Sequence, residues 1–94
     1  MTLTSKERAA LRKASHGLPA TVHVGKQGLT PPVLQSLEDA LRTHEVVKIH
    51  LGKSSDFDAK EAARELADAV GAEIVQVIGK TVTLYREHED AVPR

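Results

Sequence analysis

The 94-residue sequence contains no cysteine and no tryptophan, and its only aromatic residues besides histidine are Phe57 and Tyr85. Without cysteine there are no disulfides, no thiolate metal sites and no cysteine nucleophile, and the chain suits a reducing cytoplasm. With so few rings, the core must come from Val, Leu, Ile and Ala, and aromatic platforms for stacking bases are almost absent. No apolar run approaches a bilayer span, and the opening "MTLTSKERAA" lacks the apolar stretch of a secretory signal. A cytoplasmic protein without membrane contact is expected. Net charge is absent too: thirteen Lys and Arg balance thirteen Asp and Glu. The balance hides an asymmetry, because residues 1–54 carry eight basic residues against four acids while the rest carries five against nine. If the fold separates these sets, one side can still attract an anion.

A chain of this length with 40% apolar residues supports one core. "TSKE" reads as a capping box, opening a helix from about Ser5 to Ser15 that Gly17, as a left-handed cap, and Pro19 would end. "ATVHV" alternates as a half-buried strand. Thr30 and Pro31 suit the start of a second helix, whose stripe is Val33, Leu37, Ala40 and Leu41. "EVVKIHL" is a second strand. Asp58 caps a third helix over Ala59–Val70, and Gly71 closes it. "EIVQVIGKTVTLYR" makes two strands around a Gly79-Lys80 turn. The expected fold is therefore a single α/β domain, order α-β-α-β-α-β-β, with a four-stranded mixed sheet. Its two crossover helices share one face, because strand-helix-strand units cross over right-handedly. Neither the strand order nor the place of the first helix follows from this pattern. Residues 87–94 lack periodicity and read as a tail.

"GKQG" at Gly25–Gly28 is the main candidate site. Two glycines admit close backbone approach, Lys26 brings charge, and the next helix start brings a positive dipole end. This resembles the loop with which KH domains clamp a nucleic-acid backbone. Such spacing also occurs in plain strand-to-helix turns, and it fits neither a dinucleotide fingerprint nor a Walker A loop. Arg12, Lys13, Lys80 and Arg86 could extend a phosphate-contacting stripe. Singly, such residues are usually just solvated. Thr21, His23, Lys48, His50, Thr83 and Tyr85 should share the sheet face opposite the crossover helices, there to bind RNA or to be covered by the first helix. His23 and His50 have no third metal ligand at a recognisable spacing. Ser54, Ser55 and Asp56 have no activating histidine, and Glu61, Glu65 and Asp68 recur as a solvated helix face. No catalytic set, metal site or cofactor is expected.

Taken together, "VGKQGLT", "HEVVKIHL" and "GAEIVQVIGKTVTLYR" at these separations resemble the CRM domain (chloroplast RNA splicing and ribosome maturation), in particular its stand-alone bacterial YhbY-like form. The resemblance spans about residues 3–86 and makes residues 1–86 a CRM-like domain. It implies an RNA-binding fold similar to the C-terminal domain of translation initiation factor three, and association with precursors of the large ribosomal subunit. The implied GxxG loop falls on Gly25, Lys26, Gln27 and Gly28, and the basic residue of the second strand on Lys48. The implied "IGK" hairpin and closing "LYR" fall on Ile78, Gly79, Lys80, Leu84, Tyr85 and Arg86. The expected partner is ribosomal RNA, together with neighbouring ribosomal proteins, and nothing demands a dimer. RNA binders of this kind are commonly basic, whereas this chain is neutral. That keeps a second reading open, a protein-interaction module on ribosomal particles with little RNA affinity of its own.

Overall fold

A computed structural model describes residues 3–25, 28–52 and 58–87. The elements follow the expected order: α1 (Ser5–Ser15), β1 (Val22–Val24), α2 (Pro31–Thr43), β2 (Val46–Leu51), α3 (Ala59–Val70), β3 (Glu73–Ile78) and β4 (Thr81–Tyr85). Local chemistry sets most boundaries. The Thr4 hydroxyl accepts from the Glu7 amide while the Glu7 carboxylate accepts from the Thr4 amide, which closes the capping box at α1. Asp58 accepts from the Lys60 amide at the start of α3, and Gly71, with φ of 67°, supplies the left-handed cap at its end.

One expectation needs correction, and another holds in position without its side-chain bond. Gly17 does not adopt positive φ. Instead α1 tightens into i to i+3 bonds, His16 N–H to Lys13 O at 3.3 Å and Leu18 N–H to Ser15 O at 3.0 Å, so the turn is satisfied without a left-handed residue. Thr30 occupies the N-cap position of α2 in extended backbone, but its hydroxyl makes no capping bond. An N-cap hydroxyl accepts from the second or third helical amide, and Pro32 removes the first of these.

The four strands lie in the order β1-β2-β4-β3, with β1 parallel to β2 and the other pairs antiparallel. The register gives rungs that run straight across the sheet. Val22, Ile49, Val82 and Val77 form one, and Val47, Leu84 and Ile74 another; both face α2 and α3. Leu37 and Leu41 of α2 and Ala63 and Leu66 of α3 complete this core at 0% exposure. Each large aliphatic side chain sealed in this way contributes about 1.5–3 kcal/mol.

The opposite face carries the alternate rungs. Lys48, Thr83 and Gln76 form the middle one, with the Thr21 amide bonded to the Lys48 carbonyl at 3.0 Å. Helix α1 packs against β2, β3 and β4, which settles its place: it covers the face that α2 and α3 leave open. Thr83 is consequently 1% exposed, and Leu3, Ser15 and Val75 are buried outside the main core cluster. Val75 is the extra residue of a bulge between Ile74 and Gln76. The domain is thus three layers: α1, the sheet, and α2 with α3.

Candidate nucleic-acid interface

The topology gathers the glycine-containing connections at one end of the sheet. Strands β1 and β2 run parallel and finish there, at Val24 and Leu51; β3 finishes there at Ile78 and β4 begins there at Thr81. The Gly25–Gly28 turn, Gly52 and the Gly79-Lys80 turn are therefore neighbours. Two backbone bonds knit them together, Gly52 N–H to Val24 O at 2.8 Å and Leu51 N–H to Lys80 O at 2.7 Å. Both α2 and α3 start from this end. Gly79 alone of its turn has positive φ, 56°, the pattern expected of a type II′ hairpin.

The two glycines of the candidate loop differ in what the fold asks of them. Gly28 is buried, has φ of 83°, and donates to the Gly25 carbonyl at 3.1 Å, so the turn itself needs glycine there. Gly25 is exposed, lies outside the positive-φ region, and a Cβ built on it would meet no described atom within 4 Å. The internal packing of the described residues gives no reason for glycine at 25. Lys26 and Gln27, the central pair of the loop, lie outside the described residues, as do Lys53, Ser54, Ser55 and Asp56.

Immediately after the loop, α2 presents its positive end without an acidic residue in its first turn, whereas α1 has Glu7 and α3 has Glu61 there, with Asp58 as cap. The amide supply is smaller than a helix start usually offers. Pro31 and Pro32 have no N–H, and the Leu34 amide already donates to Thr30 O at 3.1 Å.

The remaining expected cations fall into two groups. Arg12 and Lys13 occupy the exposed last turn of α1, and Lys80 sits in the hairpin turn beside the loop. Lys48 and Arg86 have their charged ends bonded inside the molecule. The Lys48 ammonium donates to the Leu18 carbonyl at 3.0 Å and the His16 carbonyl at 3.5 Å, fastening the end of α1 to the sheet. The Arg86 guanidinium forks onto Glu38 at 2.8 and 3.0 Å and also donates to Val70 O at 2.9 Å. That bond holds the Glu38 carboxyl below its ordinary range, with Arg42 adding to the effect, and holds Arg86 above its own. Sequence reading missed this clip because nothing local announces a partner 48 residues away.

Charge is sorted by layer. Helix α1 carries Lys6, Arg8, Arg12 and Lys13 against Glu7 alone, while α2 and α3 together carry three basic residues against five acids. The sheet face beneath α1 is graded too. Its rung farthest from the glycine loop, Val46, Tyr85 and Glu73, is acidic in surroundings: burial first, then Glu45, Glu87 and Glu7, push the Tyr85 hydroxyl upward. The rung nearest the loop, His23, His50, Thr81 and Ile78, contains no acid. Of the six residues expected on this face, α1 buries Thr83 and engages Lys48, whereas His23 and His50 stay exposed.

Comparison with known proteins gives this geometry its relatives. The chain is 30% identical over 88 residues to the probable RNA-binding protein YqeI of Bacillus subtilis, an alignment covering 94% of this chain and 92% of that one. It is 33% identical over 88 residues to a probable RNA-binding protein of Pseudomonas aeruginosa, covering 94% and 85% of the two chains. The solution structure of a Staphylococcus aureus protein described as a candidate RNA-binding protein superposes with a TM-score of 0.82 at 33% identity, over 94% of this chain and 92% of that one. Residues 3–86 match the CRS1 / YhbY (CRM) domain, and the chain belongs to that family.

Proposed function

We propose that this protein binds RNA, specifically ribosomal RNA in a precursor of the large subunit, by seating a backbone phosphate on the Gly25–Gly28 turn. It would act as a monomer in the cytoplasm, holding RNA without catalysing a reaction on it. The observation that carries the reading is Gly25: described packing places no demand for glycine there, while a phosphate approaching the backbone does. Lys26 neutralises the phosphate, Gln27 and Gly28 complete the loop, and the uncompensated start of α2 adds its dipole. Lys80 lies beside this loop, and Arg12 and Lys13 extend the positive surface along α1. Lys48 and Arg86 serve the site indirectly, by fastening α1 and the end of β4. The RNA-binding names of the relatives support the general assignment. The ribosomal target rests on the resemblance to the bacterial stand-alone members.

The test is binding of labelled ribosomal RNA fragments to the wild type and to a Lys26→Ala, Lys80→Ala double variant across a salt series. Phosphate contacts by both lysines make the log–log salt slope shallower by about two in the variant. Equal slopes, or no binding by either protein, would remove the loop from the interface. Attention would then pass to ribosomal-protein partners of the exposed acids Glu61, Glu65 and Asp68 on α3.

A further inference from the structure

The sheet rung that α1 leaves uncovered has the composition of a nucleotide platform. His23 and His50 are register partners on adjacent parallel strands, both exposed, with ring centroids 5.9 Å apart and planes inclined at 67°. Thr81 and Ile78 continue the rung, and Ile78 is 63% exposed, an unusual setting for so large an aliphatic residue. Among the described residues no three His, Asp or Glu side chains converge on a metal position, so the imidazole pair has no third ligand.

We infer that His23 and His50 form a stacking surface for an unpaired RNA base, with Ile78 and Thr81 as its apolar flank. The inference rests on the phosphate-seating role of the Gly25 loop and deepens it, by naming single-stranded RNA as the ligand class. Three features point to this occupant. Imidazole rings and exposed aliphatic groups stack on bases of any identity. Two rings inclined at 67° cannot both lie flat on one base, so one stacks while the other offers a nitrogen at the base edge. The rung also adjoins the glycine loop: β1 leads from His23 through Val24 to Gly25, so a strand whose phosphate sits on the loop can turn its base onto the histidines. Charge agrees, since this rung contains no acid and the acids around Tyr85 lie at the far end of the face. A base paired within a duplex could not use the surface, because both its faces are already stacked in the helix.

The experiment compares binding of a fluorescent oligoadenylate decamer and of a blunt RNA duplex of equal length. The proteins are the wild type, the His23→Ala, His50→Ala pair, the His23→Tyr, His50→Tyr pair, and Gly25→Ala. Stacking predicts that the alanine pair loses about tenfold in affinity for the oligoadenylate, with an unchanged salt slope and little change on the duplex. The tyrosine pair should restore binding, which a charge effect of the histidines would not. Both histidines are exposed, so an unchanged thermal midpoint verifies the fold of each pair. If the alanine pair binds oligoadenylate like the wild type, or the tyrosine pair fails to rescue it, the platform is overturned. Weakening of both ligands by Gly25→Ala would then leave the loop assignment standing. Loss in the alanine pair with none in Gly25→Ala would keep the platform and overturn the loop instead. A wild type that prefers the duplex, or binds neither ligand, overturns the inference outright.

Discussion

Replacing Arg86 separates a structural clip from an RNA contact. Its guanidinium joins three elements: it extends from the end of β4, grips Glu38 of α2 with two bonds of 2.8 and 3.0 Å, and donates to the last carbonyl of α3 at 2.9 Å. The two side chains are 21% and 31% exposed, so water screens the pair only in part. Hydrogen bonds to charged groups contribute about 1.5–3 kcal/mol when well shielded. Discounting for exposure leaves about 1–2 kcal/mol for the bidentate pair, and the Val70 carbonyl adds roughly 1 kcal/mol. Arg86→Ala should therefore cost about 2–3 kcal/mol, lowering the thermal midpoint of a domain this size by roughly 10–20 °C. Far-ultraviolet circular dichroism is the suitable readout, since the chain has no tryptophan and a single tyrosine. A double-mutant cycle with Glu38→Ala should return a coupling of about 1–2 kcal/mol, and the salt slope of RNA binding by folded Arg86→Ala should equal that of the wild type. A coupling near zero, or a slope shallower by about one, would refute the clip and return Arg86 to the RNA interface.

Three further outcomes are expected. Glu38 has a depressed folded pKa, so its contribution to stability is complete above its ordinary value of 4.5 and is lost as pH falls through the folded value; in acid titrations the wild type should lose stability over that range while Glu38→Gln shows a smaller loss. The Thr83 hydroxyl is sealed beneath α1 with no hydrogen-bond partner among the described residues. Thr83→Val keeps the shape and removes that desolvated oxygen, so it should raise stability by about 1 kcal/mol in urea titrations; a loss would mean that the hydroxyl is satisfied. A Cβ at Gly52 would stand 3.0 Å from the Val24 carbonyl, the acceptor of the Gly52 amide at 2.8 Å. Gly52→Ala should accordingly cost about 1–2 kcal/mol and weaken amide-exchange protection at the β1–β2 junction, whereas an unchanged protection pattern would show that the backbone yields freely.

What could be read in advance divides along the range of the forces involved. The bounds of α1 and α3 were legible because Thr4 with Glu7, Asp58 and Gly71 act within a single turn of their own helices. The core faces of β2 and β4 followed from alternation, which fixes Ile49 against Val82 once the register is set. The candidate site could be named in the sequence as residue types, Gly25 to Gly28 with Lys80, but its shape could not. Bringing Lys80 beside the loop takes the antiparallel return of β4 against β2, and no sequence period encodes that. The place of α1 was hidden for a different reason: its surface is mostly polar or alanine, with Ser15 its one buried residue, so no apolar stripe declares which layer it joins. Lys48 and Arg86 look like exposed cations in a sequence because their acceptors, the Leu18 carbonyl and the Glu38 carboxylate, lie 30 and 48 residues away.

The sorting of charge by layer gives this neutral chain a way of meeting a polyanion. A molecule without net charge feels little pull at a distance, since monopole attraction vanishes. In the steep field close to an RNA surface, however, a body whose α1 side is basic and whose α2 and α3 side is acidic experiences a torque. Under the proposed RNA binding, it would turn its helix-strapped sheet face inward and its acidic back outward before any contact formed. That back would repel a second RNA strand, so the proposed binding would decorate one strand without crosslinking two. In a crowded, folding polynucleotide, that would make it an adhesive with only one sticky side.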